Sequence, residues 1–328
     1  MNILFTLLFA LGLSSSIAHA HELELLFYRA PKPLNWSTPG ELVRSAYHNS
    51  FRMIGHWEGD QYRYDIYPHS ISHVDVKLQC DDEAPIYTGM TSDRSDLNYA
   101  WDLMVRGRAL ETFLIDVKGR FYQEAEILKW LPLLKQQGYV RSLRIQINQE
   151  QCYRAKDYLR KYKALQINTI YGGLRSDPLL GQGAGCAAFA VSFLQILNIF
   201  PIELAQYWQR TLKVPIRLLS STSRKADIGF WGYLRGQNAR WAKNNEPQTI
   251  ISFWDPEMMY TWVGPKNITT WDVRQQPVPT SPYFKMSSLN IQKNQKHHSL
   301  RLNQLLSEAE LRNGTWYECK RFGYCPNK

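Results

Sequence analysis

The stretch that most constrains the fold has no polar side to offer to solvent. From Cys186 to Leu197 the chain reads Cys-Ala-Ala-Phe-Ala-Val-Ser-Phe-Leu-Gln-Ile-Leu, a pattern apolar nearly all round a 3.6-residue period, which predicts a buried helix. A loop over 174–185 leads into it and closes with Gly181-Gln182-Gly183-Ala184-Gly185. Cys186 therefore falls at or beside the first helical residue. Unpaired backbone N–H groups and the positive end of the helix dipole lower a thiol pKa there and can cradle an oxyanion. The glycines let a substrate carbonyl approach the backbone closely.

Upstream, His73-Val74-Asp75-Val76-Lys77-Leu78-Gln79 alternates strictly, which predicts a half-buried strand with Val74, Val76 and Leu78 inward and His73 at its entrance. A polar turn, Asp81-Asp82-Glu83, leads to a returning antiparallel strand over 85–90, which brings Thr88 and Thr91 near His73. A strand is expected over 110–117, a helix over 123–137 ended by Gly138, and a strand over 139–147. Asn148 with Gln151 three residues on opens a further helix through Tyr158 and Tyr162. Beyond residue 200 the pattern predicts a helical then extended segment over 201–217 and short strands over 226–233, 249–254 and 260–263. A loop is expected over 275–296 and a last helix over 300–312. Sheet-core aromatics are the ordinary explanation of the aromatic richness there; a glycan- or peptide-binding groove is the functional one.

The first twenty residues carry no Asp, Glu, Lys or Arg, are apolar over 3–13 and end Ala18-His19-Ala20, the pattern of a cleavable secretory signal. The folded chain is expected to begin at His21, in the periplasm or outside the cell, with no integral membrane span. An oxidising compartment favours disulfides among Cys80, Cys152, Cys186, Cys319 and Cys325. Cys319 and Cys325 bracket a short loop with a glycine, Cys80 and Cys152 can staple a strand to a helix, and Cys186 is the remainder. A free cysteine beside Ala and Phe is ordinarily a buried, inert thiol.

With 44% hydrophobic and 13% aromatic residues the chain is globular rather than disordered. Its net charge of +10 favours encounter with an anionic cell-wall polymer or lipid, although scattered Lys and Arg also serve solubility alone. No interleaved basic and aromatic motif points to nucleic acid. His56, His69 and His73 do not read as a metal site, because His-x3-His needs a helix and Pro68 argues for extended chain. Gly181-x-Gly183-x-Gly185 lacks the spacing of a dinucleotide loop. No cofactor is expected.

A histidine at a strand entrance, a polar residue on the returning strand and a cysteine opening a buried helix make up the candidate constellation. Ser72-His73-Val74-Asp75-Val76 and Gly185-Cys186-Ala187-Ala188-Phe189-Ala190 resemble the His strand and Cys helix of the circularly permuted NlpC/P60 group of papain-like thiol enzymes, which includes the lecithin retinol acyltransferase-like proteins. The resemblance covers residues 51–198. It implies an α+β fold with a permuted papain-like core, an antiparallel sheet packed on a buried Cys-bearing helix, over 21–200. Residues 201–328 lie outside the resemblance and are expected to form an additional C-terminal α/β region, an extension or a second subdomain with aromatic-rich strands. The resemblance also implies Cys186 as nucleophile and His73 as proton acceptor and donor. Where that group carries a His, Asn, Gln or acid to orient the imidazole, this chain offers Thr91 or Thr88 by position, with Asp75 as an outside choice. The oxyanion would be held by the Cys186 N–H beside Gly185, with Gln182 as a second donor. The implied activity is hydrolysis or acyl transfer on an amide or ester, first of all in peptidoglycan peptides and next in an acyl lipid or lipoprotein. The alternative is a non-catalytic wall-, lipid- or partner-binding module on the same fold.

Overall fold

The computed structural model describes residues 21–50, 53–81, 83–93, 109–174, 176–219, 225–264 and 268–274. The expected signal segment, Cys319, Cys325, the expected loop over 275–296 and the expected helix over 300–312 lie outside the described residues.

The architecture is mixed α+β, with several mainly antiparallel sheets. Its main sheet is built on a strand not anticipated above, β1 (Glu22–Tyr28). The strands β2 (Met53–Glu58) and β3 (Gln61–Ile66) form a separate hairpin. The predicted His strand is β4 (His73–Gln79), which pairs antiparallel with β1 from Tyr28↔His73 to Glu22↔Gln79. On the other flank of β1 lies β8 (Val140–Gln146), also antiparallel, and outside it β12 (Ile268–Asp272) runs parallel to β8. The returning strand divides in two. Its first part, β5 (Ile86–Thr88), pairs with β4, and its second, β6 (Met90–Ser92), pairs with β7 (Val117–Phe121). β7 in turn pairs with the short β9 (Ile170–Tyr171).

Alternation along β4 does what the sequence implies. Val74, Val76 and Leu78 join Leu23, Leu25, Phe27, Leu143 and Ile145 in one apolar layer. Against that layer lies α4 (Cys186–Ile196), reached after α1 (Pro39–Asn49), α2 (Glu124–Gln136) and α3 (Gln149–Ala164). Phe189 and Phe193 of α4 meet Tyr158 and Tyr162 of α3 edge-on at 5.2 Å. Each such fully buried ring contributes about 1.5–3 kcal/mol, so the helix is held by its apolar circumference. Asn148 and Gln151 cap each other's backbone N–H groups and start α3. Cys152 in its first turn stands at disulfide distance from Cys80, Cα to Cα 5.9 Å, just past β4.

The later chain adds α5 (Ala205–Trp208), the hairpin of β10 (Gln209–Pro215) and β11 (Gln248–Trp254), α6 (Phe230–Leu234) and α7 (Pro256–Val263). Three strand expectations are corrected. Residues 260–263 belong to α7 because Asp255 caps it, accepting the N–H groups of Glu257 at 2.8 Å and Met258 at 3.4 Å, with Pro256 at the first position. The 226–233 stretch holds the start of α6, and 110–113 is a 3-10 turn, the strand beginning only at Val117. Both apolar clusters draw on either side of residue 200: Met259, Tyr260 and Val263 belong to the same cluster as the apolar face of α4, while Leu42 and Val43 of α1 cluster with Leu212, Phe230 and Phe253.

Candidate active site

β5 stops opposite Val76, so the edge of β4 at His73 and Val74 is not covered by a neighbouring strand. The first turn of α4 fills that edge. The backbone N–H of Val74, the His73 ring and the Tyr171 hydroxyl all act on the Cys186 sulfur and favour its thiolate. Gly185, the N-cap residue, supplies no side-chain cap, so the first N–H groups of α4 remain directed at whatever lies before the helix. Cys186 is the free cysteine of the described residues and is 4% exposed.

His73 is fixed from its other edge. Its Nε2 lies 3.0 Å from Asp75 Oδ1, and both residues are buried. Residues i and i+2 of a strand share a face, which is how one β-strand delivers both groups. Tyr28, directly across from His73 on β1, feels the charge of the Asp75 carboxyl, which helps to raise the tyrosine. Gly89 is required beneath it: a Cβ at that position would sit 1.9 Å from Asp75 Oδ1. Asp75 is thus held between a tyrosine, a glycine backbone and the imidazole it serves. With Nε2 committed to Asp75, Nδ1 is the ring nitrogen left for the sulfur.

The electrostatics follow from this burial. Desolvation disfavours the His73 imidazolium, but the Cys186 thiolate and the Asp75 carboxylate outweigh it and hold the histidine well above its ordinary value. For Cys186 burial pushes the thiol up, while His73, the Val74 N–H and Tyr171 pull it down, and the net direction is down. The two shifts together favour a thiolate–imidazolium pair. Tyr171 is raised, first by burial and then by the adjacent thiolate, so its hydroxyl keeps its proton. Tyr28 is raised by burial and by Asp75 and likewise keeps its proton.

His73 and Cys186 line a cavity of about 510 Å³ between the two apolar clusters. Thr91 and Gly185 line it too; Asp75, rather than Thr91, reaches the imidazole, and Thr88 stands opposite Val76. Gln182 is turned into its own loop, where its amide oxygen accepts the N–H of Asp177 at 3.3 Å. The residue that sequence reasoning missed is Tyr171. Its only local signal is its place just before Gly172-Gly173, glycines that bring its strand against the 113–115 backbone, where a Cβ on Gly173 would lie 2.7 Å from Leu114 C. Such a site favours the thiolate over the free thiol and can hold a negative oxygen at the helix start. Comparison of the chain with protein-family models, with curated proteins and with solved structures finds no match.

Proposed function

We propose that this protein is an exported thiol hydrolase or acyltransferase with a permuted papain-like core, in which the His strand precedes the Cys helix. The observation that carries the reading is the buried Asp75–His73 pair lining one cavity with Cys186, which opens a helix without a side-chain cap. The Cys186 thiolate attacks the carbonyl carbon of an amide or ester. The electron pair moves onto oxygen, where the Cys186 N–H and the Tyr171 hydroxyl receive it. The imidazolium of His73 then gives its proton to the departing amine or alcohol as the C–N or C–O bond breaks, leaving a thioester. Water or a second acceptor, deprotonated by His73, attacks the thioester and restores the thiol pair.

Peptidoglycan peptides and acyl lipids or lipoproteins are the two substrate classes that suit an exported protein of net charge +10. The cavity favours the second. Its described lining holds Phe113, Phe230, Phe253 and Trp254, an apolar surface that suits an acyl chain. The test is turnover of a thioester or phospholipid in vesicles beside a wall stem peptide, with Cys186→Ser as control. Release of acyl product that disappears in the variant supports the enzyme. Equal binding of vesicles or wall by both proteins, with no product from either, supports a non-catalytic binding module instead.

A further inference from the structure

His73 is held at one ring nitrogen by Asp75 and has to present the rest of its edge to Cys186, and a ring fixed at one edge still tilts unless its faces are also held. One face is covered by a second imidazole. The His69 ring lies parallel to that of His73, centroids 4.2 Å apart and planes 5° from each other. Tyr122 meets both rings edge-on, 5.4 Å from His73 and 5.9 Å from His69. Tyr28 leans on both from β1, at 6.0 and 5.1 Å, and Tyr67 closes the far side of His69 at 6.2 Å. His69 lines the same cavity as Cys186 and is 9% exposed.

The loop that presents His69 is tied down at both ends. The Tyr67 hydroxyl donates to the Arg29 carbonyl. Ser72 Oγ accepts the Ala30 N–H at 2.9 Å and donates to Glu257 on α7 at 2.5 Å. The stack is therefore a built feature of the site, and the mechanism above leaves His69 unused.

We infer that His69 is a positioning residue for the Cys186–His73 pair: its flat ring, stacked on His73, holds the imidazole in the plane that joins Asp75 to the sulfur. This rests on the thiol-enzyme reading of the site. A neutral aromatic ring stacks favourably on an imidazolium, through the negative face of its π system. Any flat ring of similar size should do the same work, and a small side chain should not.

The experiment reads the reaction pKa of Cys186 with iodoacetamide, by intact mass, in the full-length secreted protein and in His69→Phe, His69→Ala and His73→Ala, with thermal melting of each. Wild type is expected to show a thiol activated below its ordinary value, and His73→Ala to lose that activation. His69→Ala should raise the reaction pKa by about one unit, a tenfold loss of thiolate at fixed pH, and His69→Phe should restore at least half of that shift. A change in folding stability alone does not move this quantity, and if His69→Ala fails to fold, His69→Phe beside wild type still decides. His69→Phe with a reaction pKa as high as that of His73→Ala overturns the inference, as does His69→Ala indistinguishable from wild type while His73→Ala loses activation. A wild-type thiol with no activation overturns the thiol-enzyme reading, and this inference with it.

Discussion

Replacing Asp75 by Asn removes a negative charge whose Oδ1 lies 3.0 Å from His73 Nε2, and it keeps the shape of the side chain. Both partners are buried, so solvent does little to screen the pair. A hydrogen bond to a charged group contributes about 1.5–3 kcal/mol. At about 1.4 kcal/mol per factor of ten, the imidazolium then loses roughly 10- to 100-fold in stability. Thiolate and imidazolium arise together, by transfer of one proton from Cys186 to His73, so the ratio of charged to neutral pair falls by the same factor. Alkylation of Cys186 by iodoacetamide, followed by intact mass below the ordinary thiol pKa of about 8.5, should slow by up to that factor. Gly89→Ala should act in the same direction, because its methyl carbon would stand 1.9 Å from Asp75 Oδ1 and displace the carboxylate. Combined with Asp75→Asn it should add little, since both changes remove one interaction. A folded Asp75→Asn protein that alkylates within about twofold of wild type would refute the assignment of Asp75 as the group that charges His73.

Tyr171→Phe removes a hydroxyl that helps to lower the Cys186 thiol; loss of one oxyanion donor predicts a fall in kcat of about 10²–10³-fold with little change in melting temperature, and kcat within threefold of wild type would exclude the role. Acyl transfer needs thiolate and imidazolium together, so kcat/KM should rise as pH climbs through the lowered thiol pKa, hold between the two, and fall only as pH climbs past the raised His73 value. A rise centred at or above about 8.5 in the pH–rate profile would contradict that sign. Opening the Cys80–Cys152 link, which spans 72 residues, by a double Ala substitution should cost about 4 kcal/mol in urea unfolding; an unchanged midpoint would show that the link contributes nothing. Gly183 has φ +77° and a Cβ there would meet Ile170 O at 2.4 Å, so Gly183→Ala should lose about 1–3 kcal/mol by the same measurement.

Much of the site is written in local patterns. The alternation over 73–79 places β4 and its buried face, and the apolar run from Cys186 places α4 beneath it. The Asn148–Gln151 box places α3, and with it the partner of Cys80. Asp75 was open to the same argument, since i and i+2 on a strand share a face, but a search for a partner on the returning strand points instead to Thr88 and Thr91. That search assumes one continuous hairpin. The chain instead breaks at Gly89, where the close approach of Asp75 leaves no room for a side chain, and the second half joins another sheet. Tyr171 could not be read locally, because its position depends on contacts of Gly119, Gly172 and Gly173 with distant backbone and side chains. The central strand β1 carries its own alternation at Glu22-Leu23-Glu24-Leu25, and only its pairing on both flanks reveals that it organises the sheet. In α7 the aromatic run Tyr260 to Val263 suggests a strand, while the Asp255-Pro256 start signal decides for a helix.

The central claim is that Cys186 and His73 form an activated pair. It is tested most directly by intact-mass mapping of iodoacetamide adducts on the non-reduced protein across graded pH, with Cys186→Ser and His73→Ala beside wild type. The account predicts one fast-reacting thiol, mapped to Cys186, with a reaction pKa well below about 8.5 that rises when His73 is removed. A Cys186 that reacts only after unfolding, or whose reaction pKa is the same in wild type and His73→Ala, would contradict it.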